Sequence, residues 1–164
     1  MYTLLYIHGL RKGEMLALDK ERDFIYKKIL FWKIPVTIIV RYAEMYDNLN
    51  CTYVLKDTKT GTKRYVDLDL FCAIKLYRYF KELKTNKVFD FRSNSISVDF
   101  HKIIVNSGFD KRHQIRLYDL RHLHASLMLL HSKNRAYTLK ILQERLRSCK
   151  YKSDVQYLCT FIKK

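Results

Sequence analysis

At 164 residues, 48% of them hydrophobic and 14% aromatic, the chain is large enough for one real core, too short for two full domains, and no disordered polyelectrolyte. Its 32 Lys and Arg stand against 16 Asp and Glu, a formal net charge of +16 that repels itself and draws polyanions. Nucleic acid is the partner this favours, because the basic residues are spread along the whole chain, as a surface tracking a phosphate backbone requires.

Pro and Gly are rare, so breaks are few, and no repeat, low-complexity tract or linker is visible. The opening TLLYIHGLRKGEMLAL is helical in pattern, broken or bent near Gly9. Its apolar residues begin at once, as though inside a domain. Residues 24–40, FIYKKILFWKIPVTIIV, are β-rich, with Pro35 marking a break or an edge. In TYVLKDTKTGTKRYVDLDL two alternating runs flank DTKTG, which predicts a hairpin turning near Lys59 and Gly61. The stretch from Leu30 to Leu55 is longer than a tight hairpin needs, and its excess finds no place in the pattern. From Asp69 the period becomes helical to about Lys84. A short apolar VFDF follows, then a helix from near Ser97 to Ser107 with Gly108 as its stop. RLYDLRHLHASLMLL, residues 116–130, continues as one helix. YTLKILQERLRS is another, with Leu139, Leu142 and Leu146 on one side. SDVQYLCTFIKK is the last, capped by Ser153 and striped by Val155, Leu158 and Ile162. Helices, a small antiparallel β-sheet and helices again make an α+β domain, mostly helical, over residues 1–164.

Two arginines sit oddly in this pattern. Arg121 lies four residues after Leu117, four before Ala125 and seven before Met128; Arg11 lies four after Ile7, four before Met15 and seven before Leu18. Both fall on apolar helix faces, and a buried guanidinium is costly without a partner. Taken alone, each reads as a structural ion pair, with Glu14 and Asp119 at hand. Two of them in a chain short of acids also fit a pair of planar forks converging on one phosphate, which Arg binds bidentately. His122 and His124 are only two apart and no Cys, Asp or Glu pattern completes a zinc site, so no metal is expected. No apolar run approaches the roughly 18 residues of a spanning helix, so no membrane partner is expected. MYTLLYIHGL has neither a basic leader nor a cleavage site. Cys51, Cys72, Cys149 and Cys159 are scattered without a CxxC, as reduced thiols of a cytoplasmic protein are.

These residues carry a family resemblance. GLRKGEMLAL resembles the first arginine box of the tyrosine recombinases, the phage-type integrases, with the pattern Gly-Leu-Arg-x-x-Glu-x-x-x-Leu. TKTGTKRYVDL is similar to their β-hairpin with a lysine in the turn. YDLRHLHASLMLL is similar to their His-x-x-Arg box. LKILQERLRS followed by SDVQYL resembles their last motif, Leu-Gly-His and then the nucleophilic tyrosine. The four occur in the family's order over residues 9 to 157. The resemblance implies a catalytic domain that breaks and rejoins double-stranded DNA, as a tetramer on that DNA, with no metal and no small-molecule cofactor. It implies that Arg11 and Arg121 grip the scissile phosphate, that Tyr157 attacks phosphorus to give a 3′-phosphotyrosyl link, and that Lys59 protonates the leaving 5′-oxygen.

The sequence departs from the family in three places. Tyr118 stands where the family has His before the second arginine, and Arg147 and Ser148 follow Leu146 where the family has Gly-His. Tyr118 and Ser148 still donate hydrogen bonds to a phosphate oxygen, but neither accepts a proton near neutral pH. The chain also opens almost on the first arginine box, without the N-terminal DNA-binding domain that closes a clamp in the family, so a catalytic-domain fragment is expected. A catalytically impaired, DNA-binding remnant shares the same charge and fold, and the replaced histidines favour it. Type IB topoisomerases use the same tyrosine chemistry but resemble the chain less. An RNA-binding domain lacks support, as no aromatic-glycine RNA motif is present.

Overall fold

The computed structural model describes residues 1–29, 31–57, 61, 63–108, 115–132 and 138. Apolar residues enter at once in α1 (Tyr2–Ile7), which buries Leu4 and Leu5. The helix stops at His8, and Gly9 takes a φ of +62°, a left-handed conformation that costs glycine nothing. That turn separates α1 from α2 (Lys12–Leu16), so the helical opening is broken where the sequence predicts. Arg11 is the N-cap of α2, with extended backbone. Glu14, at the third helical position, accepts a 2.8 Å hydrogen bond from the Arg11 amide, the returning half of a capping box.

The β-rich stretch folds into β1 (Phe24–Ile29) and β2 (Trp32–Val40), paired antiparallel. Pro35 faces Tyr26 at a register shift and lies outside the rungs that join β2 to β5 (Arg64–Asp67), a place where a strand tolerates a missing N–H. The two alternating runs around DTKTG do not pair with each other. β4 (Thr52–Asp57) pairs back on β3 (Tyr42–Asp47), whereas β5 pairs with β2, giving a sheet of order β1-β2-β5 and a separate β3-β4 ribbon. Burial explains the choice. Val66 of β5 stands beside Ile38 of β2, which stands beside Phe24 of β1, and all three are buried on one face. Each such side chain contributes about 1.5–3 kcal/mol. β4 has no comparable apolar face to offer. The residues between Leu30 and Leu55 that exceed a tight hairpin are therefore β3 and its turn. Thr58, Lys59, Thr60 and Thr62 lie outside the described residues.

Asp69 caps α3 (Leu70–Glu82) by accepting from the Cys72 amide at 3.1 Å. Cys72, Ala73, Leu76 and Phe80 form its buried stripe, and Phe80 meets Phe24 edge-on at 5.0 Å, fixing α3 against the sheet. α4 (Ser93–Asn106) begins four residues before the predicted start and ends as expected, at Ser107 followed by Gly108. α5 (Asp119–Leu130) carries the second arginine. One core joins α1, α2, the three-stranded sheet, α3 and Ile96 of α4. The class is α+β, as expected, with two small antiparallel sheets in place of one. No helix among the described residues is long and apolar enough to cross a membrane. Of the two helices predicted after residue 136, only Thr138 is among the described residues.

Candidate phosphate-binding site

The sequence places Arg11 at the start of α2, Arg64 on the inward face of β5 and Arg121 in the first turns of α5, and one carboxylate gathers all three. Glu14 is only 1% exposed. Its Oε1 lies 2.9 Å from Arg11 Nη1, while its Oε2 meets Arg64 Nη2 and lies 3.6 Å from Arg121 Nη1. Arg121 Nη1 also donates to the Gly9 carbonyl at 2.7 Å, so the break between α1 and α2 supplies a second anchor. Asp119, the other acid at hand for Arg121, does different work: it accepts from the Arg116 amide at 2.7 Å, at the positive end of α5. The structural ion pair is therefore real, but it is a hub of one acid and three guanidiniums. These four groups carry a net charge of +2.

Their titration follows from that count. Burial pushes the Glu14 carboxyl up, but the Arg64 guanidinium, the Arg11 amide and the other two guanidiniums pull it down further, so its pKa lies below the ordinary value. Burial lowers the Arg121 pKa to about 10; Glu14 opposes the shift, while Arg64 and Arg11 add to it. Arg121 is still a cation at neutral pH. Its charge is held in a crowded, positive setting that a further anion would relieve.

Arg11 and Arg121 open into a pocket of about 430 Å³. Lys12, His101, Arg116 and Tyr118 line it as well, with Leu5, Leu10 and Phe100 among its apolar walls. Arg121 is 4% exposed, so its guanidinium is fixed by packing rather than by solvent. Tyr118, 54% exposed, is the N-cap residue of α5, and its ring meets His122 edge-on at 4.8 Å. Of the six residues expected at the site, the structure brings Arg11 and Arg121 onto one carboxylate and sets Tyr118 on the same pocket. Lys59, Ser148 and Tyr157 lie outside the described residues.

Sequence reasoning missed Arg64, Lys12 and the central role of Glu14. The signal for Arg64 was available. In a strand of period 2 it shares its face with Val66, so a cation was already pointing inward. His8, Asp69 and Cys72 bring one nitrogen, one oxygen and one sulphur within 4.8 Å of one another. Asp69 is already engaged there, with His8 Nε2 at 3.0 Å and the α3 cap. Burial and then Asp69 push the Cys72 thiol up to about 12, away from the thiolate that binds metal. The trio joins α1 to the start of α3.

No family model and no curated protein matches the chain. Its fold is shared with solved structures of the Tn1549 transposon integrase. One, in complex with a circular intermediate DNA, aligns with a TM-score of 0.74 at 15% identity over 95% of this chain and 52% of that one. Another, in complex with transposon right end DNA, aligns with a TM-score of 0.72 at 16% identity over 95% and 52%. A third, with a circular intermediate DNA, gives 0.71 at 16% identity over 95% and 53%. The chain thus spans about half the length of the integrase chains it resembles.

Proposed function

We propose that the chain is the catalytic domain of a tyrosine-recombinase-type integrase, acting on double-stranded DNA in the cytoplasm as a tetramer on that DNA. The observation that carries this is the convergence of Arg11 and Arg121, 110 residues apart in sequence, on Glu14 beside one positively charged pocket. A shared fold with DNA-bound integrases supports it. In this mechanism the two guanidiniums hold the non-bridging oxygens of the scissile phosphate and stabilise the added charge of the pentacoordinate transition state. The Tyr157 oxygen attacks phosphorus and releases its phenolic proton to water, the bond from phosphorus to the 5′-oxygen breaks, and Lys59 gives that leaving oxygen its proton. Tyr118 and Ser148 donate hydrogen bonds where the family has histidines. Bond energy is kept in the phosphotyrosine, so rejoining needs no nucleotide cofactor.

The test is incubation with a nicked suicide duplex followed by a denaturing gel. The expected result is a covalent protein–DNA adduct that Tyr157→Phe abolishes; an adduct that survives that substitution overturns the assignment. A second reading, an impaired remnant that binds DNA without cutting it, is favoured by one observation: Tyr118, a phenol where the family has an imidazole, stands at the pocket. DNA binding with no adduct, even after Tyr118→His and Ser148→His, selects the remnant.

A further inference from the structure

Lys12 follows the first arginine directly, and its surroundings differ from those of every guanidinium in the hub. Its Nζ lies 3.3 Å from the Ser93 carbonyl and 3.2 Å from the Ser97 hydroxyl, both in the first turns of α4. These acceptors are neutral, and among the described residues no carboxylate pairs with it. Burial lowers its pKa, and among the described residues no carboxylate offsets the cost. A half-buried ammonium held by neutral acceptors, next to a cluster in which three guanidiniums share one carboxylate, is favourably placed to meet an incoming anion. The two serine contacts hold the lysine stem against α4, on the rim of the pocket that Arg11 and Arg121 enter. An ammonium has three donors, and these contacts use two.

We propose that Lys12 is a phosphate-binding residue of this pocket, contacting a phosphodiester oxygen of the DNA strand held by Arg11 and Arg121. The proposal rests on the integrase reading for the identity of the polyanion as DNA. Its chemistry, a preplaced cation whose contacts among the described residues are neutral, stands on the geometry. Lys12 extends the grip from the scissile phosphate toward α4, and His101 of α4 and Arg116 line the same cavity.

The experiment measures duplex binding as a function of salt for the unmodified chain, Lys12→Met, Lys12→Arg and Lys102→Met. Lys102 is 68% exposed, lies 3.8 Å from Asp99 and lines no part of the pocket, so it controls for a simple loss of surface charge. A phosphate contact contributes about 0.9 to the slope of log affinity against log salt. Lys12→Met is expected to lower the slope by about that amount while keeping the thermal midpoint, and Lys12→Arg to restore it. The Lys102→Met slope is expected to change less. An unchanged slope in Lys12→Met, or an equal fall in Lys102→Met, overturns the proposal. A fall in the midpoint with the slope intact makes Lys12 a structural clamp on α4 and overturns it too. The integrase reading is judged separately, by the covalent adduct. A slope change without an adduct keeps the Lys12 contact and removes the strand-cutting assignment, and an adduct without a slope change does the reverse.

Discussion

Replacing Glu14 with Gln removes the negative charge that Arg11, Arg64 and Arg121 share among the described residues, and changes the side chain's shape little. The amide has nearly the shape of the carboxylate and still accepts from the Arg11 backbone, so α2 keeps its cap. What changes is the charge of the cluster, which goes from +2 to +3 at sites where Arg64 is 7% and Arg121 4% exposed. Removing one partner of a buried ion pair costs about 3–5 kcal/mol. For a domain of this size about 2–4 °C is lost per kcal/mol, so the midpoint is expected to fall by roughly 6–20 °C. Thermal and urea melts in chloride buffer measure it. Adding phosphate or sulphate should recover more stability in Glu14→Gln than in the unmodified chain, because the variant lacks the carboxylate charge that offsets part of the positive charge beside the pocket. Equal melts for the two proteins, with no anion rescue, refute the hub.

The same carboxylate sets a pH dependence. Its folded pKa lies below its ordinary value of 4.5, so Glu14 stabilises the fold above pH 4.5 and ceases to do so as pH falls through the lower folded value. The unmodified chain should therefore lose stability on acidification more steeply than Glu14→Gln, and the two curves should approach each other at the acid end. Parallel curves across that range contradict the assigned direction.

Gly13→Ala puts a Cβ at 2.7 Å from the Glu44 carbonyl oxygen, a backbone atom of β3 that has no flexible end to swing away. A destabilisation of about 1–3 kcal/mol is expected from such overpacking, and an unaltered melting curve rules out the close approach of α2 to β3. Tyr118→His should raise the rate of covalent adduct formation by up to roughly 10²–10⁴, with the gain falling between about pH 6 and 8, where imidazole changes charge. A pH-independent gain, or none in a chain that already forms the adduct, removes Tyr118 from the proton-transfer position.

What the sequence made legible was whatever a local period or a local cap decides. The break at Gly9, the start of a helix just after Asp69 and the end of α4 at Gly108 each depend on a few adjacent residues and are found where expected, whereas the helix that carries Arg121 begins at Asp119, three residues later than its period suggests. Strand pairing is not local. The runs beside DTKTG have the alternation of a hairpin, yet β5 finds β2 because Val66 completes a buried layer with Ile38 and Phe24, and β4 is left to β3. The same nonlocal choice made the site hard to read in full. Arg11 and Arg121 drew notice by a helical spacing from apolar neighbours, which holds for Arg121 within α5 but not for Arg11, because the break at Gly9 makes it the extended N-cap of α2; Glu14 was visible as one partner among two. That Glu14 serves both, and Arg64 besides, required knowing that β5 enters the core beside β2 with its arginine inward. The correct bland reading and the sharper one then cease to compete. Each arginine is a structural ion pair, and because one carboxylate is shared among three cations, the pairing leaves the positive charge that an incoming phosphate can use.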